Sequence, residues 1–280
     1  VKDLFGQADD ALNLSISKII FNGPKEILDD TENTQPAIFL ASYAIFQVIK
    51  KETSFDIDKA DFFAGHSLGE YTALACSGVI NFEETIKLLK IRGKAMQTAV
   101  PKNEGGMIAV LGEEIKKIEK IIEDNKNKFN CFIANDNSNG QVVISGKKYD
   151  IEKLITELNN LKIKSVKLPV SAPFHCILMK SATNIMRKEI TNIKFSLPNN
   201  YIISNVTALP SKDPIIIKNL LIEQIEKPVR WRESINNMIK AGNQKFLEIG
   251  PGKVLSGLVK RIDRNVNIIQ VNNISDLNKL

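Results

Sequence analysis

The frame Gly65-His66-Ser67-Leu68-Gly69 lies between an apolar run, Phe62-Phe63-Ala64, and a helix-forming stretch, Glu70-Tyr71-Thr72-Ala73-Leu74-Ala75-Cys76, that ends near Gly78. In that setting a Gly-x-Ser-x-Gly frame predicts a strand, a sharp turn and a helix in direct succession, and therefore an α/β fold. Small residues two positions either side of the serine let the turn close, and the turn pushes the hydroxyl outward. In such a nucleophile elbow the N–H after the serine, here that of Leu68, points at the oxyanion that develops during acyl transfer. A glycine-rich turn with an incidental serine is the competing reading.

The chain of 280 residues has room for one large domain or two modest ones with a sizeable core. A hydrophobic content of 43% and a charged content of 25% are ordinary for a soluble globular enzyme. The net charge of +6 comes mostly from lysines. They are spread out, as in Lys116-Lys117 and Lys162, Lys164 and Lys167, and read as solvated faces rather than a nucleic-acid stripe. An aromatic content of 6% offers little for base stacking, so no nucleic-acid partner is expected. A mildly basic surface does suit an acidic protein partner.

The three cysteines (Cys76, Cys131, Cys176) have no metal-ligand spacing, and their odd number argues against a disulfide framework. A reducing compartment and no metal site are expected. The uncharged stretch Asn33 to Ile49 is too short and too polar to span a membrane and reads as a buried helix. The chain opens on Val1-Lys2-Asp3-Leu4, with neither a methionine nor a signal peptide. The natural start is expected upstream, and the location is expected to be cytoplasmic, or an organelle stroma if a targeting segment precedes Val1.

Short helical pieces fill residues 1–34, broken at Asn22-Gly23-Pro24 and Asp29-Asp30. Asn81 followed by Glu84 predicts a capped helix carrying Arg92. From Gly105 to Val170 the grammar changes. Strands are expected at Met107–Leu111, Phe129–Ala134, Gln141–Ser145 and Ile163–Leu168, with helices at Glu113–Asp124 and Tyr149–Leu161 and a polar turn after Ala134. That order, βαββαβ, is the ferredoxin-like split motif, bounded by Pro101 and Pro169 as an inserted subdomain. Beyond it, strands are expected at Tyr201–Val206 and Lys245–Ile249, with helices at Ser234–Ala241 and from Val254.

A nucleophilic serine needs a base, and only two histidines are present. His66 adjoins Ser67 on the strand side, where successive side chains diverge, which gives it a structural role. His175 remains, in the proline-bracketed loop Pro169-Val170-Ser171-Ala172-Pro173-Phe174-His175. Cys176 reads as a buried small hydrophobe.

These segments, together with Asn33-Thr34-Gln35-Pro36-Ala37, Arg92-Gly93-Lys94-Ala95-Met96-Gln97, Gly140-Gln141-Val142-Val143-Ile144-Ser145-Gly146, Pro228-Val229-Arg230-Trp231 and Glu248-Ile249-Gly250-Pro251-Gly252, run in the order of one family. The chain resembles the malonyl-CoA:acyl carrier protein transacylases of bacterial-type fatty acid synthesis over nearly its whole length. The resemblance implies an α/β-hydrolase-like core (1–103 and 171–280) with an inserted ferredoxin-like (βαββαβ) subdomain (104–170). It implies Ser67 as acyl-accepting nucleophile, His175 as base, Leu68 as oxyanion donor and Arg92 as the clamp on the free malonyl carboxylate. Gln224 falls where the family uses a backbone carbonyl to orient the histidine. A guanidinium suits a carboxylate because its charge is permanent and its fork bidentate. Phe174 resembles the choice made for an unbranched malonyl unit.

The implied partners are malonyl-CoA and an acidic acyl carrier protein, with coenzyme A thioester as substrate and no permanently bound cofactor. One departure stands out. The family begins with a strand and a Gly-Gln-Gly turn that supplies a second oxyanion N–H, whereas Gly6-Gln7 is followed by Ala8-Asp9-Asp10, too near Ser67. Gln7 receives no role, and the expected strand and turn lie upstream of Val1. An esterase or thioesterase on the same fold, the acyltransferase domain of a polyketide-type synthase, and a non-catalytic carrier-binding domain are the alternatives.

Overall fold

The computed structural model describes residues 2–170 and 172–280, so the expected boundaries at Val1 and Ser171 lie outside the described residues. Four helices lead: α1 (Lys2–Leu12), α2 (Ile16–Asn22), α3 (Lys25–Asp29) and α4 (Thr31–Glu52). A short strand β1 (Phe62–Phe63) then feeds α5 (Leu68–Cys76), and α6 (Phe82–Thr98) follows. The middle of the chain runs β2 (Gly105–Leu111), α7 (Ile115–Asp124), β3 (Cys131–Ser138), β4 (Gln141–Lys147), α8 (Lys148–Asn160) and β5 (Lys164–Lys167). The last third runs α9 (Lys180–Asn192), β6 (Tyr201–Ile203), β7 (Pro210–Ser211), α10 (Pro214–Glu223), α11 (Trp231–Lys240), β8 (Lys245–Ile249), α12 (Val254–Ile262) and β9 (Asn267–Val271).

Strands β2 to β5 form one antiparallel sheet in the order β3-β4-β2-β5. Both of its faces are buried, and the period-2 alternation of a strand separates them. Ile108, Val110, Val142 and Ile144 point into a core shared with Ile118 and Ile121 of α7 and Leu154 and Leu158 of α8. Met107, Ala109 and Val143 point the other way, with Ala134, and cover Phe174. That double burial is why the inner strands β2 and β4 read as nearly unbroken apolar runs, whereas the edge strand β5, Lys164-Ser165-Val166-Lys167, is largely exposed. The sheet therefore roofs the loop that carries His175.

The remaining strands make two smaller sheets. β1 pairs parallel with β6, which pairs antiparallel with β7, and β8 pairs parallel with β9. Helices α1, α4, α5, α6, α9 and α10 pack around a large apolar cluster that includes Phe39, Leu40, Leu74, Leu89, Met186 and Leu221. Asn81 caps α6 by accepting the Glu84 N–H at 2.8 Å.

Four expectations need correction. The short buried strand expected over Phe62-Phe63-Ala64 is two residues long, Phe62–Phe63, and half-buried. The polar run Asn135-Asp136-Asn137-Ser138, expected as a turn, continues β3. Asp136 and Asn137 are tolerated there because they meet Arg232 and His66 across the chain. Arg232 donates twice from Nε (3.0 Å to each oxygen) and once from Nη2 (2.8 Å) to the Asp136 carboxylate. The Asp136 N–H donates to Val229 O at 2.9 Å, and the Val229 N–H to Ala134 O at 2.9 Å. Conversely, β6 stops at Ile203, because Ser204 turns the chain, with its N–H donating to Leu209 O and its Oγ accepting the Val206 N–H, and Asn205 leaves the ladder to serve the site. Strand β9, which completes the β8 ladder, has no counterpart among the expected strands.

Candidate active site

Ser67 is the N-cap of α5, with φ 54° and ψ −109°. The turn is tight enough that only glycine fits at position 65: a Cβ there would lie 1.9 Å from the carbonyl carbon and oxygen of Gly69. Asn205, just past β6, staples the turn from below. Its Oδ1 accepts the Ser67 N–H at 2.8 Å, and its Nδ2 donates to Gly65 O at 2.8 Å. With the Ser67 N–H engaged, the N–H of Leu68, first residue of α5, has no hydrogen-bond acceptor among the described residues.

His175 Nε2 lies 2.8 Å from Ser67 Oγ, and its Nδ1 lies 2.8 Å from the backbone oxygen of Gln224. A carbonyl oxygen only accepts, so Nδ1 carries the proton and Nε2 presents its lone pair to the serine hydroxyl. The orienting partner is thus a neutral backbone carbonyl where many serine enzymes have a carboxylate. Burial, reinforced by the charge of Arg92, holds the imidazole down at about 3, so it is unprotonated at neutral pH.

Arg92, on α6, is 1% exposed. Its Nη1 donates to Gln35 Oε1 at 2.7 Å, and its Nη2 donates to Ser67 Oγ at 3.0 Å and Gln224 Oε1 at 2.9 Å. Its Cζ stands 5.3 Å from the Tyr71 ring centroid. Burial lowers the guanidinium pKa, and Tyr71 and Glu70 work against that shift. A buried guanidinium within hydrogen-bond reach of the serine oxygen has the charge and geometry to pair with an anion beside it.

All five residues singled out in the sequence converge here: Ser67, Leu68, Arg92, His175 and Gln224. The one hardest to see was Gln224, which caps α10 and is fully buried, not exposed on a helix. His66 points away from Ser67, with Nε2 2.8 Å from Asn137 Oδ1 and the ring 5.6 Å from that of Trp231. Gln7 is exposed on α1. Cys176 is buried, and burial pushes its thiol pKa up. Among the described residues no group of three or more His, Cys, Asp or Glu side chains is arranged to hold a metal. No described helix is long and apolar enough to cross a membrane.

Sequence reasoning missed Gln35, Asn205 and Glu70 as members of the site. Glu70 had a readable signal. It is the one charge in an otherwise apolar helix, and a helix apolar all round is buried, so its carboxyl had to be buried as well. Asn205 stands at the C-terminal end of a parallel strand, where α/β sheets gather their sites.

A serine held on an elbow against a neutral histidine defines an acyl-transfer site. Residues 7–276 match the family described as acyl transferase domain. A malonyl CoA-acyl carrier protein transacylase of Haemophilus influenzae is 38% identical over 279 residues, spanning 99% of this chain and 89% of that protein. One from Bacillus subtilis is 40% identical over 273 residues, spanning 96% and 84%. The crystal structure of an acyl-carrier-protein-S-malonyltransferase from Bartonella henselae superposes with a TM-score of 0.95 at 39% identity, covering 99% of this chain and 89% of that one. A malonyl-transacylase in complex with its type II PKS acyl-carrier protein superposes with a TM-score of 0.95 at 35% identity, covering 99% and 88%. The chain belongs to the acyl transferase domain family and, within it, to the malonyl CoA-acyl carrier protein transacylases.

Proposed function

We propose that this protein transfers a malonyl group from malonyl-CoA to the phosphopantetheine thiol of acyl carrier protein, through a malonyl-serine intermediate, in fatty acid biosynthesis. The observation that carries the reading is Arg92, a buried guanidinium 3.0 Å from the nucleophile oxygen. Hydrolysis of a neutral ester needs no such cation. A malonyl thioester carries a free carboxylate three carbons from CoA sulfur, and Arg92 holds that carboxylate while the thioester carbon meets Ser67.

The reaction is ping-pong. His175 Nε2 takes the Ser67 proton as Oγ attacks the thioester carbonyl, and the oxyanion is received by the Leu68 N–H. Collapse expels coenzyme A as a thiol, protonated by His175, and leaves malonyl-Ser67. The carrier thiol then gives its proton to His175 and attacks the ester, and Ser67 Oγ leaves with that proton. Gln224 O holds Nδ1–H through both halves, supporting the imidazolium each time it forms.

The core is read as α/β-hydrolase-like over 1–103 and 171–280, with a ferredoxin-like subdomain at 104–170. The βαββαβ order, the strand order β3-β4-β2-β5 and a separate apolar core support that division. The test is product analysis after mixing the protein with malonyl-CoA and phosphopantetheinylated carrier protein. Malonyl-carrier as main product is expected; free malonate as main product makes the protein a hydrolase.

A further inference from the structure

Glu70 is the third residue of α5, and at 1% exposure it lies buried beneath Ser67. Its Oε2 accepts from Gln224 Nε2 at 2.8 Å and from the Asn205 N–H at 3.2 Å. The Gln224 amide is held between two charges. A guanidinium only donates, so the amide oxygen must face Arg92, and its nitrogen then faces Glu70 and Ser67 O, the latter at 2.8 Å. One polarised amide thus joins the buried cation that meets the substrate to a buried carboxyl that the transfer reaction does not use.

Among the described residues the charged and titratable groups that act on Glu70 are Arg92 from α6 and Tyr71 on its own helix; His175 lies beyond, on the far side of the Ser67 hydroxyl, and His66 turns away toward Asn137. Burial pushes the Tyr71 phenol up to about 12 and the His175 imidazole down to about 3, and it lowers His66 as well. None of these changes charge between pH 7 and 8. Glu70 does, because burial raises its carboxyl to about 7 against the opposing pull of Gln224, Asn205 and Arg92. When a substrate carboxylate arrives at Arg92, two carboxylates share one buried cation, and low dielectric disfavours ionising both.

We propose that Glu70 takes up a proton from solvent when an acyl group with a free carboxylate binds at Arg92, which makes it a specificity-determining residue that couples recognition of acidic acyl groups to pH. The proposal rests on the malonyl reading above. The substrate carboxylate enters ionised and pairs with Arg92, while the Glu70 carboxylate becomes a carboxylic acid. Nothing is oxidised or reduced, and the summed charge of Arg92, Glu70 and the acyl group stays at zero. A neutral acetyl group brings no charge and draws no proton.

The test is calorimetry on the Ser67→Ala protein, which binds thioesters without turnover, at about pH 7.5 in buffers of different ionisation heat. Coenzyme A is common to malonyl-CoA and acetyl-CoA, so the difference in proton uptake reads the acyl group alone. Malonyl-CoA should take up roughly half a proton or more beyond acetyl-CoA. That excess should vanish in Ser67→Ala/Glu70→Gln, whose new amide oxygen can still accept from Gln224 and Asn205. Malonyl-CoA affinity should also weaken several-fold as pH rises from about 6.5 to about 8.5 with Glu70 present, and hold steady in the double variant, which has no carboxyl at that position. Equal uptake for the two thioesters in Ser67→Ala overturns the proposal, whether or not the double variant folds. Failure of malonyl-CoA to bind overturns the malonyl reading and this inference with it.

Discussion

Ser67 and His175 face each other at 2.8 Å, and both hold positive φ, 54° and 57°. Each costs about 1–3 kcal/mol in a residue with a side chain, so the fold around them holds both in place. The consequence for pH follows from burial. His175 is kept unprotonated down to about 3, and a base must be unprotonated to act. Acylation of Ser67 by acetyl-CoA in the Glu70→Gln protein, which has no carboxyl titrating near 7 beneath the site, should therefore show no acid limb between about pH 8 and about pH 5. An inflection near the ordinary histidine value of about 6.5 would contradict this.

The two glycines of the serine frame are not equivalent. A Cβ at Gly65 would strike backbone atoms of Gly69 at 1.9 Å and Glu70 N at 2.6 Å, whereas a Cβ at Gly69 meets nothing within 4 Å. Gly65→Ala is expected to lose about 3 kcal/mol or more and the acylation activity with it. Gly69→Ala, inside α5, should raise stability by about 0.5–1 kcal/mol. Thermal unfolding of both variants checks the contrast.

If Arg92 holds the malonyl carboxylate as proposed, Arg92→Ala removes the partner that distinguishes a malonyl from an acetyl group. Its kcat/KM with malonyl-CoA should fall about 100-fold or more, and far less with acetyl-CoA. Equal losses on both thioesters would take the carboxylate away from Arg92.

Arg232→Ala should act on stability. Asp136 is 4% exposed, and its carboxylate is held on both oxygens by Arg232 across the seam between β3 and α11. Removing the cation strands a buried carboxylate, for a loss of about 3 kcal/mol. Arg232→Ala/Asp136→Asn, which removes the charge as well, should recover part of it.

The apolar grammar of the chain was legible because burial writes periodicity. Strands β2 and β4 alternate between two buried faces, and β8 runs over its full expected span, Lys245–Ile249. The serine frame and the scarcity of histidine pointed to Ser67 and His175 from residue chemistry alone. What stayed hidden depends on long-range polar pairing. Asn135 to Ser138 look like a turn until Arg232, His66 and Val229 are brought beside them, some 70 to 100 residues away. Asn205 looks like strand until the elbow needs a staple. Gln224 serves through its backbone carbonyl, which no side-chain pattern reports, and only the family resemblance singled it out. Glu70 carries a readable signal, but its fit to the helix pattern hides its place in the site.

In the proposed reaction Ser67 Oγ carries the malonyl group between coenzyme A and the carrier thiol. Intact-mass measurement after exposure to malonyl-CoA tests it most directly. A single malonyl adduct, absent from Ser67→Ala and discharged on adding phosphopantetheinylated carrier protein, is the predicted result. No adduct, or one that persists in Ser67→Ala, would contradict it.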